Sequence, residues 1–261
     1  MTAPDPLAEA FKKPLAERGP SIHDEYGDFA PRPCPAITSA MSTTQWWWVR
    51  HAPVPDGGRI YGQRDLDCDC SDALIFAALA RELPGEAVWV TSQLKRARNT
   101  AAAIHAAMGR SPEVVVVPEL AEQHLGEWQG LDRQKFLASR VPRRPFWFAA
   151  AHERAPGGES FDDLVARAHD AINRLTAHFS GRTIVAVTHG GTIKAALALA
   201  LRLDSEAALA FAIDNCSITR MDHFKAEIGP YEWRVHAVNH RPWTRSAAGE
   251  VPAGARGTAL A

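Results

Sequence analysis

The stretch "QWWWVRHAPVP", Gln45–Pro55, runs three tryptophans and a valine straight into an arginine and a histidine, with prolines following. A short apolar run of β-favouring residues reads as a buried strand. Side chains alternate along a strand, so Trp47 points to one face of a sheet and Trp46 and Trp48 to the other. Both faces then need a covering layer. Two readings of Arg50 and His51 are open here: polar residues at an ordinary strand end, or residues at the mouth of a cleft.

Working outward, strand-like and helix-like segments alternate. The apolar runs at 45–49, 87–91, 113–118 and 183–188 predict strands, the third of them buried. Helical spacing predicts helices over 71–83, with Ser71 or Asp72 as cap, over 94–108, over 160–179 with a Ser-x-x-Asp cap, and over 192–203. Two last strand candidates, "SITRMDHF" (217–224) and "EWRVHAVNH" (232–240), add an antiparallel edge. This alternation predicts an α/β three-layer sandwich: a mostly parallel sheet with helices on both faces.

The residues that follow each central strand decide the question about Arg50 and His51. Ser92 and then Arg96 follow 87–91, Glu119 and Glu122 follow 113–118, and His189-Gly190-Gly191 follow 183–188. In an open parallel sheet the carboxyl ends of the strands share one edge, where ligands bind. Two histidines, two arginines and a carboxylate therefore converge on one cleft. Arginine forks match phosphate oxygens, a neutral histidine is a nucleophile, and a carboxyl group can protonate a leaving group. The glycines of "HGGT" keep the backbone low at a helix N-terminus, a place suited to anions. No DxDxT aspartate motif and no cluster spaced for two metals is present, so the set suggests phosphoryl transfer through histidine with no metal and no cofactor.

The motifs "VRHA" (49–52), "SQLKRARNTA" (92–101), "ELAEQHLGEWQG" (119–130) and "VTHGGT" (187–192) resemble those of the histidine phosphatase superfamily, the phosphoglycerate mutase-like proteins. The resemblance covers about residues 45–240. It implies that His51 is the residue phosphorylated in turnover, that Arg50, Arg96 and His189 cradle the phosphoryl group, and that Glu122 is the proton donor. Glu119 and Glu127 are the competing carboxylates for that role. "RIYGQRD" (59–65) resembles the family's loop near the phosphate, with Gly62 at its glycine, and Gly190 is expected at the substrate. The usual Arg-His-Gly followed by a small polar residue and asparagine is here "RHAPVPDGG". The long insertions of glycolytic mutases are absent, which makes the chain similar to the phosphatase branch, including α-ribazole phosphatases, with "FAIDNCSITRMD" (211–222) carrying part of that likeness. The implied activity is hydrolysis of a small phosphorylated metabolite. A mutase, or a silent member that binds a phosphorylated ligand or a protein, are the alternatives.

Arg143, Arg144, Trp147 and His152 lie in a segment expected to lid the cleft. His105, His169 and His178 lie on predicted helices and read as surface residues. The 261 residues carry a net charge of −1, against nucleic-acid binding. No apolar run approaches the roughly 20 residues of a membrane span. Four cysteines, with Cys68 and Cys70 too close for an easy disulfide, read as incidental reduced thiols in a cytoplasmic protein. A homodimer is compatible with this reading.

Residues 1–41 carry prolines and scattered charges without a period and read as a disordered extension. The domain is expected over 42–243 and a loose Ala- and Gly-rich tail over 244–261. If the extension adds nothing to the sheet, a chain beginning at Met41 melts at the same temperature as the full chain and turns over as fast. A marked fall in either quantity would show that Phe11, Leu15, Tyr26 or Phe29 docks on the domain or on a partner.

Overall fold

The computed structural model describes residues 42–144, 146–225 and 232–244. The disorder expected over 1–41 and the tail expected beyond 244 lie outside the described residues. Within them is a six-stranded sheet in the order β3-β2-β4-β1-β5-β6. The strands are β1 (Thr43–Arg50), β2 (Val88–Thr91), β3 (Val114–Val116), β4 (Thr183–Thr188), β5 (Ile218–Phe224) and β6 (Trp233–His240). β4 lies between β1 and β2, parallel to both, with Trp48 opposite Ala186 and Val90 opposite the same alanine. β3 runs parallel to β2, while β5 and β6 add the expected antiparallel pair beyond β1.

Helices cover both faces. On one face Trp46 and Trp48 stack, ring centroids 4.6 Å apart and planes 6° from parallel, and the Trp46 indole donates to Thr176 Oγ1 at 3.1 Å. That face packs on α4 (Phe161–His178) and α5 (Gly190–Leu201) through Leu164, Ala168, Ile172, Ile193 and Leu197. On the other face Val49, Trp89, Val185 and Val187 pack on α1 (Ala73–Glu82) and α2 (Lys95–Met108) through Leu79, Ala101 and Ile104, with Trp47 at the margin. The alternation of the tryptophan strand is thus satisfied on two cores. Asp72, rather than Ser71, caps α1 by accepting from Leu74 and Ile75, and Ser160 with Asp163 forms the reciprocal capping box of α4.

The structure corrects two readings and adds two elements. The 113–118 run is not a buried central strand: β3 has one neighbour, and Val115 and Val116 stay 39% and 48% exposed at the edge. His105 is no surface residue; it is buried edge-on against Trp89, ring centroids 4.2 Å apart, because the small alanines of α2 let the helix lie close to β2. Two short helices, α3 (Arg133–Ser139) and α6 (Ser205–Ala208), have too few turns to show a period.

Trp46 lies fully buried on β1, four residues before Arg50. Trp46→Ala should therefore lower unfolding free energy by about 3–5 kcal/mol, read as a fall in the denaturant midpoint. A shift under a third of that would mean that the two-tryptophan stack does not carry this face.

Candidate active site

β1 to β4 are all parallel, so Arg50, Thr91, Val116 and Thr188 end at one edge of the sheet. His51 follows β1 directly. Its backbone N–H donates to Thr188 O at 2.8 Å, which carries the strand pairing one residue further. The imidazole is fully buried and its Nδ1 lies 2.7 Å from Ala52 O, so Nδ1 carries the hydrogen and donates to that carbonyl. Nε2 is left as the lone-pair nitrogen, buried and without a hydrogen-bond partner among the described residues. A buried polar atom without a partner is costly, and a nucleophile awaiting its electrophile is one reason to keep one.

His189 caps α5 at the end of β4, its ring centroid 5.2 Å from that of His51. Its Nε2 pairs with Ser92 Oγ at 2.7 Å, while Nδ1 is buried and has no partner among the described residues. Arg96 sits in the first turn of α2, fully buried. It donates from Nη2 to Gly62 O at 2.6 Å and from Nη1 to Arg64 O at 2.9 Å, with its guanidinium 5.0 Å from the Tyr61 ring centroid. Arg50 donates to Ile213 O at 2.5 Å. Neither arginine pairs with Glu119, which binds Arg174 at 2.7 Å on the surface.

Burial comes first in holding both histidines well below their ordinary pKa of 6.5; the charges of Arg96 and Arg50 act the same way on His51, and those of Arg96, Arg167 and Arg50 on His189. Both rings are neutral at pH 7. Burial also pulls Arg96 down, but a guanidinium remains charged across the physiological range.

Glu122 is buried in the loop after β3. Oε1 accepts from Gln123 N at 2.9 Å and Oε2 from Gly191 N at 3.2 Å. A Cβ on Gly191 would stand 2.3 Å from Oε1, so only glycine lets the first turn of α5 come this close to the carboxylate. Gly190 is buried at the same helix start, and Gly62, at φ +47°, presents its carbonyl to Arg96; there a Cβ would meet Gln129 Oε1 at 2.5 Å. The Glu122 loop is laced from several directions. Arg167 donates to Glu119 O and Glu122 O, Gln63 to Glu122 O, Thr188 to Leu120 O, and Thr192 to Ala121 O.

Glu122, Gly62, Tyr61, Gln123, Arg133 and Trp147 line a small pocket of about 20 Å³, with Leu125 and Phe148. From the expected lid, only Trp147 of the four residues singled out reaches it; its indole donates to Gln123 Oε1, and Lys194 Nζ stands 4.4 Å above its ring. Arg144 pairs with Glu206 instead, and Arg143 and His152 are exposed. Sequence reasoning missed Asn215, which donates to His51 O at 2.8 Å, and Arg167, since single polar residues on a loop or a helix carry no periodic signal. Among the described residues no group of three histidine, cysteine or acidic side chains could hold a metal, and no helix is long and apolar enough to cross a membrane.

The buried neutral histidines tie stability to pH. Below about 6.5 the unfolded chain binds protons that His51 and His189 refuse in the fold, so stability present above 6.5 is lost as pH falls, by about 1.4 kcal/mol per pH unit for each ring. The melting temperature should drop between pH 6.5 and 5, and His51→Asn should flatten the slope. Identical slopes for parent and variant would contradict the buried neutral state.

The family model described as histidine phosphatase superfamily (branch 1) matches residues 46–240. A metal-independent phosphoserine phosphatase of Arabidopsis thaliana is 36% identical over 155 residues, covering 56% of this chain and 64% of that protein. The chain thus spans less than two thirds of that relative's length. A glucosyl-3-phosphoglycerate phosphatase of Mycolicibacterium vanbaalenii is 32% identical over 203 residues, 70% of this chain and 88% of its own. The solved native structure of mycobacterial glucosyl-3-phosphoglycerate phosphatase superimposes with a TM-score of 0.63 at 29% identity, covering 76% of this chain and 99% of that one.

Proposed function

Because the chain belongs to the histidine phosphatase superfamily (branch 1), we propose that it is a phosphomonoesterase acting through a phosphohistidine on a small phosphorylated metabolite, without metal. The observation that carries this reading is the orphaned Nε2 of His51, buried beside permanently charged guanidinium groups with its Nδ1 hydrogen committed to Ala52 O.

The phosphoryl group of the substrate docks against Arg50, Arg96 and His189. The Nε2 lone pair attacks phosphorus, the N–P bond forms and the P–O bond to the leaving group breaks. Glu122 gives its proton to the departing oxygen. The carboxylate so formed takes a proton from water, whose oxygen attacks phosphorus; the N–P bond breaks, phosphate departs and Nε2 recovers its lone pair. The arginines stabilise charge on the three phosphoryl oxygens in both steps. The leaving group departs on the side of Glu122, toward Tyr61, Arg133 and Trp147. Phosphoserine and glucosyl-3-phosphoglycerate, named for the relatives, are the first substrates to try. We place the activity in the cytoplasm, in keeping with the free thiols of Cys68, Cys70 and Cys216.

His51→Ala should abolish release of phosphate with the fold retained. Glu122→Gln should slow hydrolysis of an alkyl phosphate by roughly 100-fold or more, and of an activated aryl phosphate much less, because a good leaving group departs without a proton. Equal losses on both substrates would move the acid to another carboxylate. Activity in His51→Ala within a few-fold of the parent would sink the phosphohistidine route. Isomerised phosphate ester in place of free phosphate would identify a mutase.

A further inference from the structure

Cys68 and Cys70 are half-buried, with their Sγ atoms 3.5 Å apart. They pack against the core face that holds Val49, Ala52 and Cys216. Cys68 Sγ lies 3.3 Å from the carbonyl oxygen of Arg96 and 3.6 Å from Thr100 Oγ1. The Thr100 hydroxyl donates to Arg96 O at 2.7 Å and accepts the Ala52 N–H at 2.8 Å. One thiol therefore touches the helical turn that carries Arg96 and, through a single hydroxyl, the peptide after His51.

The segment presenting the pair is fixed in place. Asp67 accepts from Asn99 and from the Cys68 N–H, Asp69 N donates to Pro53 O, and Asp65 accepts from Lys95 N. We propose that Cys68 and Cys70 form a modification site, a dithiol that a hydroperoxide closes to a disulfide, and that closure lowers turnover at the neighbouring His51. The effect on turnover rests on the phosphatase reading; the site itself does not.

The two thiols are chemically unequal. The hydrogen bond between the two thiols brings Cys68 down to about 7 despite its burial, with the Arg96 charge acting the same way, and pushes Cys70 up. Cys68 is then the attacking thiolate and Cys70 the resolving thiol. With hydrogen peroxide, the Cys68 thiolate attacks one oxygen; the O–O bond breaks, giving a sulfenic acid and hydroxide. The Cys70 sulfur displaces the sulfenic oxygen, the S–S bond forms and water leaves. The peroxide gains the two electrons that the thiols lose.

Closing the gap from 3.5 Å to a bond of about 2 Å pulls Cys68 away from Arg96 O and Thr100. Thr100 in turn holds the N–H of Ala52, the residue whose carbonyl sets the tautomer and tilt of His51. A Cys-x-Cys ring is strained, and a strained disulfide is easily reduced, as a reversible site requires.

The test treats the full chain with hydrogen peroxide and follows two readouts. The tryptic peptide 65–81, which contains both cysteines, should lose two hydrogen atoms, and aryl phosphate turnover should fall roughly 10- to 100-fold, as a small misplacement of a reacting group does. Dithiothreitol should reverse both. Cys70→Ser should turn over like the parent when reduced and show no loss that dithiothreitol restores. The proposal is overturned by an unchanged peptide mass, by a disulfide to Cys34 or Cys216 instead, by a disulfide that leaves turnover unaltered, or by an equal reversible loss in Cys70→Ser. A reduced chain with no turnover on any phosphate ester sinks the phosphatase reading, while the peptide mass still decides the disulfide.

Discussion

The hydrogen bond from His51 Nδ1 to Ala52 O is the contact on which the rest of the site depends. It leaves the lone pair on Nε2, and burial beside Arg96 and Arg50 keeps that lone pair free of a proton. A carbonyl can steer a ring only if the backbone leading to it is immobile. Thr100 holds the Ala52 N–H, Asn215 holds the His51 carbonyl, and Thr188 O receives the His51 N–H. Three separate segments of the chain thus converge on two consecutive residues. Cys216, at φ +61°, lets the chain bend so that its N–H reaches Arg50 O while Asn215 faces His51.

The same logic governs Glu122, the proposed acid. Glu122 sits on a loop, the least rigid kind of segment, yet its carbonyl neighbours are gripped by Arg167, Gln63, Thr188 and Thr192. Arg167 is itself paired with Glu159 at 2.7 Å, so its charge is compensated and its remaining donors serve the loop. Gly191 completes the arrangement by giving up a side chain where the carboxylate needs room. Position, set by donors from α4 and α5, is what distinguishes Glu122 from Glu119 out on the surface.

Much of this is legible in the sequence. The tryptophan alternation required two covered faces, and the parallel reading put Arg50, His51, Arg96, Glu122 and His189 at one edge because each follows a strand. What was not legible has common physical causes. β3 reads as buried because valines favour strands wherever they lie, and whether a strand is central depends on neighbours remote in sequence. His105 looked solvated on a helix whose approach to β2 is set by the small size of its alanines. Asn215 and Arg167 act through single backbone contacts, and the lid segment turned only Trp147 and Phe148 inward while its arginines found surface partners or solvent. The stretch 211–222, which carries part of the family likeness, contributes Ile213 and Asn215 to the surroundings of Arg50 and His51.

The strand order has a consequence for how the chain comes to be made. β1 is synthesised first, yet its partners are β4, beginning at Thr183, and β5, beginning at Ile218. On a ribosome, Trp46, Trp47 and Trp48 therefore wait without their sheet neighbours while more than half of the domain emerges. β2 and β3 pair with each other earlier but have no route to β1 until β4 slots between them. Closure of such remote pairings is slow, since the loop entropy must be met before the contacts form. Nascent chains of this protein are thus exposed to capture by chaperones or by one another during that interval, and His51 finds its surroundings only in the last stage of assembly.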